Sequence, residues 1–275
     1  YQCLGCEVLP LYCEVDGNFP NHHPDPTREE NIVDIKKAVV EHQADLGIAF
    51  DGDGDRIVAI ANDGRTMWPE ELLMLFAADI LKRYPGSTAI YDVKCSPRLK
   101  RIIKENGGKP LMSKTGHSYI KNMIAVHQAK VAGELSGHMF LVDRWYPVDD
   151  GPYIGARLIE LLDKNGKTAS TLLNSLPIAY ATQELQVRLK EEAKLTFMDH
   201  VIAAADFPNA KVDLLDGLRV DFPDGSFALV RASNTTACLT CRFESTSKAA
   251  LFRLEQQFRD LLHKIDPDLE IPFGG

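Results

Sequence analysis

Apolar and polar positions alternate along this chain in a way that changes character twice. Gly5 to Leu11 is an apolar run that predicts a strand, and Asp16 to Asp25, with two prolines and two histidines, predicts an irregular loop. Thr27 and Glu30 have the spacing of a capping box and predict an amphipathic helix with Ile32, Val33, Ile35, Val39 and Val40 as its buried stripe. The run Leu46 to Phe50 reads as a short, fully buried strand that passes directly into Asp51-Gly-Asp53-Gly-Asp55-Arg56. Ile57 to Ala61 is a further strand and Asp63-Gly64 a turn.

From Met67 onward strands and helices alternate. Pro69 is suited to the first position of a helix reaching about Tyr84, and Ala89 to Val93 is a strand that delivers Lys94. A helix from Arg98 to about Asn106, a strand Leu111 to Lys114 and a helix from Ser118 to about His127 follow. Lys130 to Gly133 and Met139 to Val142 are strands around Glu134 to His138, and Asp149 to Leu162 is helical. The order implies mainly parallel, doubly wound packing, with ligand groups at the carboxyl ends of strands, where Lys94, His117 and Glu134 fall. After about Pro177 the pattern becomes antiparallel. Glu184 to Leu189, Lys211 to Phe222, Ser226 to Arg231 and Cys238 to Phe243 are strands, Phe197 to Ala205 a helix, and Lys248 to Ile265 a long closing helix. Thr240 and Arg242 are expected to face outward, and Met112 and Met139 to be core. The fold class expected is α/β, as successive mixed-sheet α/β domains followed by a smaller α+β C-terminal domain.

Composition narrows the function. With 275 residues, 45% hydrophobic and 25% charged, the chain is long enough for about two domains on length alone. A formal net charge of −8 argues against a nucleic-acid or anionic-membrane partner, which would need a basic face. No stretch has the length of a transmembrane helix and no signal-peptide pattern opens the chain, so cytoplasmic residence is expected. Cys3 with Cys6 and Cys238 with Cys241 have CxxC spacing, but the second pair lies on an expected strand, where an i, i+3 pair points to opposite faces; core or incidental cysteines are the better reading than zinc. His22 and His23 read as a solvated loop pair.

The chemistry is concentrated in loops. Asp51, Asp53 and Asp55 sit at every second position, so they converge in extended backbone, and three like charges call for a hard cation such as Mg²⁺. An EF-hand does not fit: counted from Asp51, position six is Arg56 and position twelve is Asn62. Arg231-Ala-Ser233-Asn234-Thr235-Thr236 offers a guanidinium, three hydroxyls, an amide and backbone N–H groups, the donor set of a phosphate dianion, although Ser, Asn and Thr also simply make turns. Glu134 and Ser136 could accept from and donate to sugar hydroxyls. Taken singly, His117 and His138 read as structural histidines and Lys94 as a solvated lysine.

Together, DGDGDR (51–56), DVKCS (92–96), KTGHS (114–118), GELSGH (133–138) and RASNTT (231–236) stand in the order and approximate spacing of the α-D-phosphohexomutase superfamily. The stretches FPNHHPDPT, DRWYPVDDG and LVRASNT are similar too, and the resemblance extends over essentially the whole chain, nearest to the bacterial phosphomannomutase/phosphoglucomutase branch. Phosphoglucosamine mutases resemble it in the metal loop but usually have glycine where Asn234 stands; Ala237 departs from the proline common after the phosphate loop. The resemblance implies residues 1–65 as the C-terminal part of a second α/β domain with the metal loop, 66–177 as a third with the sugar loop, and 178–275 as an α+β fourth with the phosphate loop. It implies phosphoryl transfer between the 1- and 6-hydroxyls of mannose or glucose through a phosphoserine and a hexose 1,6-bisphosphate. Asp51, Asp53 and Asp55 would hold Mg²⁺; Arg56, Lys94 and His117 would be catalytic, the last two as general acid and base. Glu134, Ser136, His138, Arg231, Ser233, Asn234 and Thr235 would bind substrate. The family's phosphoserine has a Ser-His-Asn-Pro setting that no serine here shares. The catalytic serine is therefore expected outside this chain, in the missing N-terminal domain as partner, with this chain inactive alone. The alternatives are a non-catalytic module binding sugar phosphate and Mg²⁺, or a phosphoglucosamine mutase.

Overall fold

The computed structural model describes residues 1–275. Two compact units divide the chain: residues 1–92, 102–111 and 116–176 form the first, and 93–101, 112–115 and 177–275 the second. No helix is long and apolar enough to cross a membrane.

In the first unit, β1 (Leu46–Phe50), β2 (Ile57–Ala61) and β3 (Thr66–Met67) form an antiparallel meander, β1 pairing with β2 from Leu46↔Ala61 to Phe50↔Ile57. The aspartate loop is therefore the tip of a hairpin. β1 is an edge strand and only Gly47 in it is fully buried, which corrects the expectation of a fully buried strand; β2, central in the sheet, is buried throughout. Helix α1 (Val33–Glu41) and the residue before it pack on it through Ile32, Ile35 and Val39, while Val33 and Val40 are exposed, contrary to the expected stripe. A 3₁₀ turn over Glu29–Ile32 precedes α1 and offsets the helical phase. Thr27 makes no capping box, because its hydroxyl donates to Asp25 instead.

A four-stranded sheet follows, in the order β5 (Lys109–Ser113), β4 (Thr88–Asp92), β6 (Val131–Gly133), β7 (Met139–Leu141). β4 and β6 are parallel, whereas β6 and β7 form an antiparallel hairpin, so the sheet is mixed. Helices α2 (Pro69–Arg83), α3 (Pro97–Glu105), α4 (His117–His127), α5 (Gly151–Asn165) and α6 (Ala169–Leu173) accompany these strands. Helix α2 has the capping interaction that α1 lacks, the Trp68 N–H donating to Glu71 at 2.9 Å. Its buried Leu72, Leu73, Met74, Phe76, Ile80 and Leu81 explain why it lies between sheet and neighbours rather than at the surface. Gly5 to Leu11 forms no strand: no neighbouring strand takes its backbone groups, and Leu9 and Leu11 are exposed.

The second unit is an α+β assembly. Its sheet runs β10 (Lys211–Asp213), β11 (Leu218–Asp221), β12 (Phe227–Ala232), β13 (Cys238–Ser245), with β8 (Tyr180–Ala181) and β9 (Leu185–Arg188) both pairing with β13. All pairings are antiparallel. The expected strand over Lys211 to Phe222 is two strands, separated by a turn ending at Gly217, whose φ of 92° suits glycine. Helices α7 (Lys194–Ala204) and α8 (Lys248–His263) cover the sheet and bury Phe197, Val201, Leu254 and Phe258 against Val220, Val230, Leu239 and Phe243. Cys241 belongs to this core and its burial pushes the thiol pKa up; Cys238 lies beside the Thr236 hydroxyl. Thr240 and Arg242 are buried, against expectation, because β13 is central and both its faces are covered.

Candidate active site

Two hairpin tips build the site of the first unit. Asp51 is fully buried at its side chain and shapes its own loop. Its Oδ1 accepts from the Gly54 and Arg56 N–H groups, both at 3.1 Å, and its Oδ2 from Arg56 Nε at 2.6 Å. Burial would raise its carboxyl, but the Arg56 backbone and guanidinium outweigh that and hold it below the usual range. Asp53 is exposed, Asp55 half-buried. Each of the three aspartates places a carboxylate oxygen within 4.8 Å of the others. Burial, and then the charges of Asp51, Asp53 and Asp149, push Asp55 up to about 6. A carboxyl that resists ionisation beside two other carboxylates is relieved by a cation, and the all-oxygen donor set fits a hard divalent ion such as Mg²⁺.

The second tip, Glu134 to His138, joins β6 to β7 and pairs across to the first through Arg56↔His138 and an Ile57 N–H to Gly137 carbonyl bond of 3.4 Å. The approach is close enough that a Cβ on Gly137 would meet Arg56 Cβ and the Ile57 carbonyl oxygen at 3.2 Å, and its φ is 106°. Helix α5 closes the other side: the Gly151 N–H donates to the Gly54 carbonyl at 3.0 Å, and Asp150 caps the helix by accepting from the Tyr153 N–H at 2.9 Å. Glu134 is buried and one of its oxygens accepts from the Gly116 N–H at 2.5 Å, which fixes the start of α4 and hence His117. Ser136 is half-buried in the same turn.

His117 and His138 come together as a stacked pair, ring centroids 5.2 Å apart and planes at 21°. Nδ1 of each lies 3.1 Å from Asp149 Oδ2, and Lys121 Nζ lies 2.7 Å from Asp149 Oδ1. Burial pushes His138 down to about 4, Arg56 and His117 adding to the effect and Asp149 opposing it. Burial would raise Asp149, yet the hydrogen bond and charge of Lys121 hold it below the usual range. His138 is thus a neutral imidazole near pH 7, with Nδ1 turned to a carboxylate and Nε2 able to accept a proton.

The second unit holds the other candidates. Lys94 is buried and its ammonium lies 2.5 Å from Glu184 Oε1. Burial would raise Glu184, but Lys94 first, then Arg242 and Arg231, hold it below the usual range. The backbone around Lys94 is gripped by two buried arginines: Arg219 donates to the carbonyls of Val93 and Cys95, and Arg242 to that of Lys94. Arg231 is buried and already forked onto Asp216, Nε to Oδ2 at 3.0 Å and Nη2 to Oδ1 at 3.4 Å, while Asp216 also accepts from the Thr115 N–H at 3.0 Å. The loop after it is a turn stabilised by Ser233, whose Oγ accepts from the Thr235 and Thr236 N–H groups at 3.4 and 3.2 Å. These two N–H groups are therefore internally paired. Lys194 clamps the loop from below, its buried Nζ donating to the Ser233 and Thr236 carbonyls at 2.8 and 3.1 Å. Asn234 and Thr235 are exposed.

Five residues that the sequence reading left without a role thus shape the candidates: Asp149, Lys121, Glu184, Asp216 and Lys194. Asp149 lies in the DRWYPVDDG stretch, and Lys121 stands one helical turn after His117; the others are paired by long-range contacts that carry no local signal.

The phosphoglucomutase/phosphomannomutase family models match the chain three times in succession: alpha/beta/alpha domain II over residues 1–64, alpha/beta/alpha domain III over 68–180 and the C-terminal domain over 184–261. A phosphomannomutase/phosphoglucomutase of Pseudomonas putida is 48% identical over 99% of this chain and 58% of its own length. A phosphoglucomutase of Neisseria meningitidis is 46% identical over 99% of this chain and 59% of its own. A crystal structure of a phosphoglucomutase/phosphomannomutase family protein from Burkholderia thailandensis superposes with a TM-score of 0.91 at 47% identity, covering 99% of this chain and 58% of that one. The chain spans less than two thirds of the length of these relatives. Matched by three consecutive domains and by relatives of nearly half-identical sequence, it belongs to the phosphoglucomutase/phosphomannomutase family of the α-D-phosphohexomutase superfamily.

Proposed function

We propose that this chain carries the metal-binding, proton-transfer and phosphate-binding parts of a phosphohexomutase that interconverts hexose 1-phosphate and hexose 6-phosphate, of mannose or glucose, through a phosphoserine and a hexose 1,6-bisphosphate. The observation that carries the reading is the neutral His138, held by Asp149 beside Arg56 and the three aspartates. When bound at Asp51, Asp53 and Asp55, Mg²⁺ would neutralise charge on the phosphoryl group in transfer. Arg56, anchored on Asp51, adds a positive contact at the same place. His138 accepts the proton of the attacking hydroxyl at Nε2 and later returns it, with Asp149 stabilising the imidazolium. That assigns to His138 the role first expected of His117, which is exposed and shares the same carboxylate. Glu134 and Ser136 read sugar hydroxyls. In the second unit Arg231, Ser233, Asn234 and Thr235 hold the phosphate that is not reacting, and Lys94 stabilises negative charge.

The phosphoseryl group is supplied from outside this chain, since no serine here has the Ser-His-Asn-Pro setting. Supplied with Mg²⁺, glucose 1-phosphate and glucose 1,6-bisphosphate, the isolated chain is expected to bind sugar phosphate without forming glucose 6-phosphate. Turnover abolished by His138→Ala would place the nucleophile within the chain and refute that part. Cytoplasmic residence and Mg²⁺ as the resident ion belong to the same proposal.

A further inference from the structure

The stacked histidines belong to a second donor set that shares only Asp55 with the aspartate loop. Asp55, His117, His138 and Asp149 each place one ligand atom within 4.8 Å of the others. They come from four elements: the β1–β2 tip, the first residue of α4, the end of the β6–β7 turn and the approach to α5. Nδ1 of His117 and of His138 each lie 3.1 Å from Asp149 Oδ2, and Nδ1 of His138 lies 3.5 Å from Asp55 Oδ2. An ion held tetrahedrally at about 2.0–2.1 Å sets its ligand atoms about 3.3–3.4 Å apart. Three edges of such a tetrahedron are already near that length. We propose that these four residues form a second cation site, distinct in chemistry from the oxygen-only loop, that takes a borderline divalent ion of the Zn²⁺ class.

Ligand type separates the two sites. Two imidazoles with two carboxylates suit Zn²⁺, while Mg²⁺ selects oxygen and keeps to the three aspartates. Asp55 is common to both sets, so filling one draws on a single ligand of the other. Lys121 is the resident competitor: its ammonium lies 2.7 Å from Asp149 Oδ1 and 3.3 Å from His117 Nδ1. Its side chain is 36% exposed, so it can swing to solvent when a divalent ion displaces it. An ion bound here occupies His138, which, on the function proposed above, withdraws the proton acceptor; the binding itself does not depend on that reading.

Co²⁺ tests the site, because a four-coordinate ion absorbs strongly in the visible and a six-coordinate one weakly. The full chain, with Cys3, Cys6 and Cys13 replaced by serine to remove the thiols that are not buried, is titrated with Co²⁺ in excess Mg²⁺. The expected result is an intense four-coordinate band at one equivalent, bleached by Zn²⁺. His117→Ala and His138→Ala should each weaken binding by at least about ten-fold, the smaller of the losses seen when even an outer partner of a ligand is removed. Asp53→Asn, which touches only the oxygen loop, should leave the band in place, and Lys121→Met should tighten binding. His117 is exposed, so its variant remains informative if His138→Ala fails to fold. A weak six-coordinate spectrum, a band indifferent to His117→Ala, or a band lost in Asp53→Asn would each overturn the proposal.

Discussion

Asp149 orders two histidines and a lysine with one carboxylate, and its consequence shows first in His138. Burial takes that imidazole to about 4, against about 6.5 in an unfolded chain. A folded-state value below the unfolded one means that the unfolded chain binds the proton first. Stability from the neutral ring is complete above about pH 6.5 and is lost as pH falls toward about 4. Asp55 has the opposite sign: raised to about 6, it takes up a proton in the folded chain first and adds stability as pH falls below that value. His138→Gln isolates the first effect. With chelator present, its urea midpoint relative to the parent should improve as pH is lowered from about 7 to about 4.5; a difference independent of pH contradicts a buried neutral His138. Lys194 makes a second prediction at this scale. Lys194→Met leaves the Ser233 and Thr236 carbonyls without their buried donor and should cost about 1–3 kcal/mol in urea unfolding. The convergence of the three aspartates was legible because their spacing and side-chain type state it, whereas His117 and Arg231 drew notice through the order of the loop motifs, since singly each also has a structural reading. Asp149, Asp216 and Glu184 were not, since each works through a partner at least eleven residues away.

Elements were legible where local grammar and tertiary packing agree. Pro69 at the start of α2 and Asp63-Gly64 in a turn follow from backbone sterics alone. The reading of Leu46 to Phe50 as fully buried failed because a continuous apolar run looks the same in a central strand and in the edge strand of a hairpin. Gly5 to Leu11 failed because a strand needs a neighbour as well as a composition. Packing between elements also explains a glycine whose role no local rule reveals. A Cβ on Gly151 would meet the Gly54 carbonyl oxygen at 2.6 Å, Phe50 Cδ1 at 2.9 Å and the Arg56 carbonyl oxygen at 3.0 Å. Gly151→Ala must therefore push the start of α5 away from the aspartate loop, costing about 1–3 kcal/mol of stability. Mg²⁺ titration of the folded variant should show weaker binding than the parent, and unchanged affinity would mean that the loop holds its shape without α5.

At the scale of the molecule, the chain has two compact units, each with apolar cores of its own. A single unfolding free energy is then not guaranteed to describe both. Trp68 and Trp145 are the only tryptophans and both lie in the first unit, so tryptophan emission follows that unit while far-UV circular dichroism follows the whole. Phe258→Ala, in the core of the second unit, should cost about 3–5 kcal/mol. It should shift the dichroism midpoint further than the emission midpoint; equal shifts would mean that the units unfold together. Family membership was legible at this scale because five loop motifs keep their order and spacing, whereas the division of the chain at Asp92 and Thr115, inside the alternating region, has no sequence signature.

The measurement that bears most directly on the account is a calorimetric titration of glucose 1-phosphate into the folded chain with Mg²⁺ present, beside Arg231→Ala. Saturable binding by the parent and its loss in the variant are predicted, because the guanidinium held by Asp216 would, on the proposed function, be the strongest phosphate donor in the loop. No binding by the folded parent, or equal binding by the variant, would contradict a sugar-phosphate site built on Arg231.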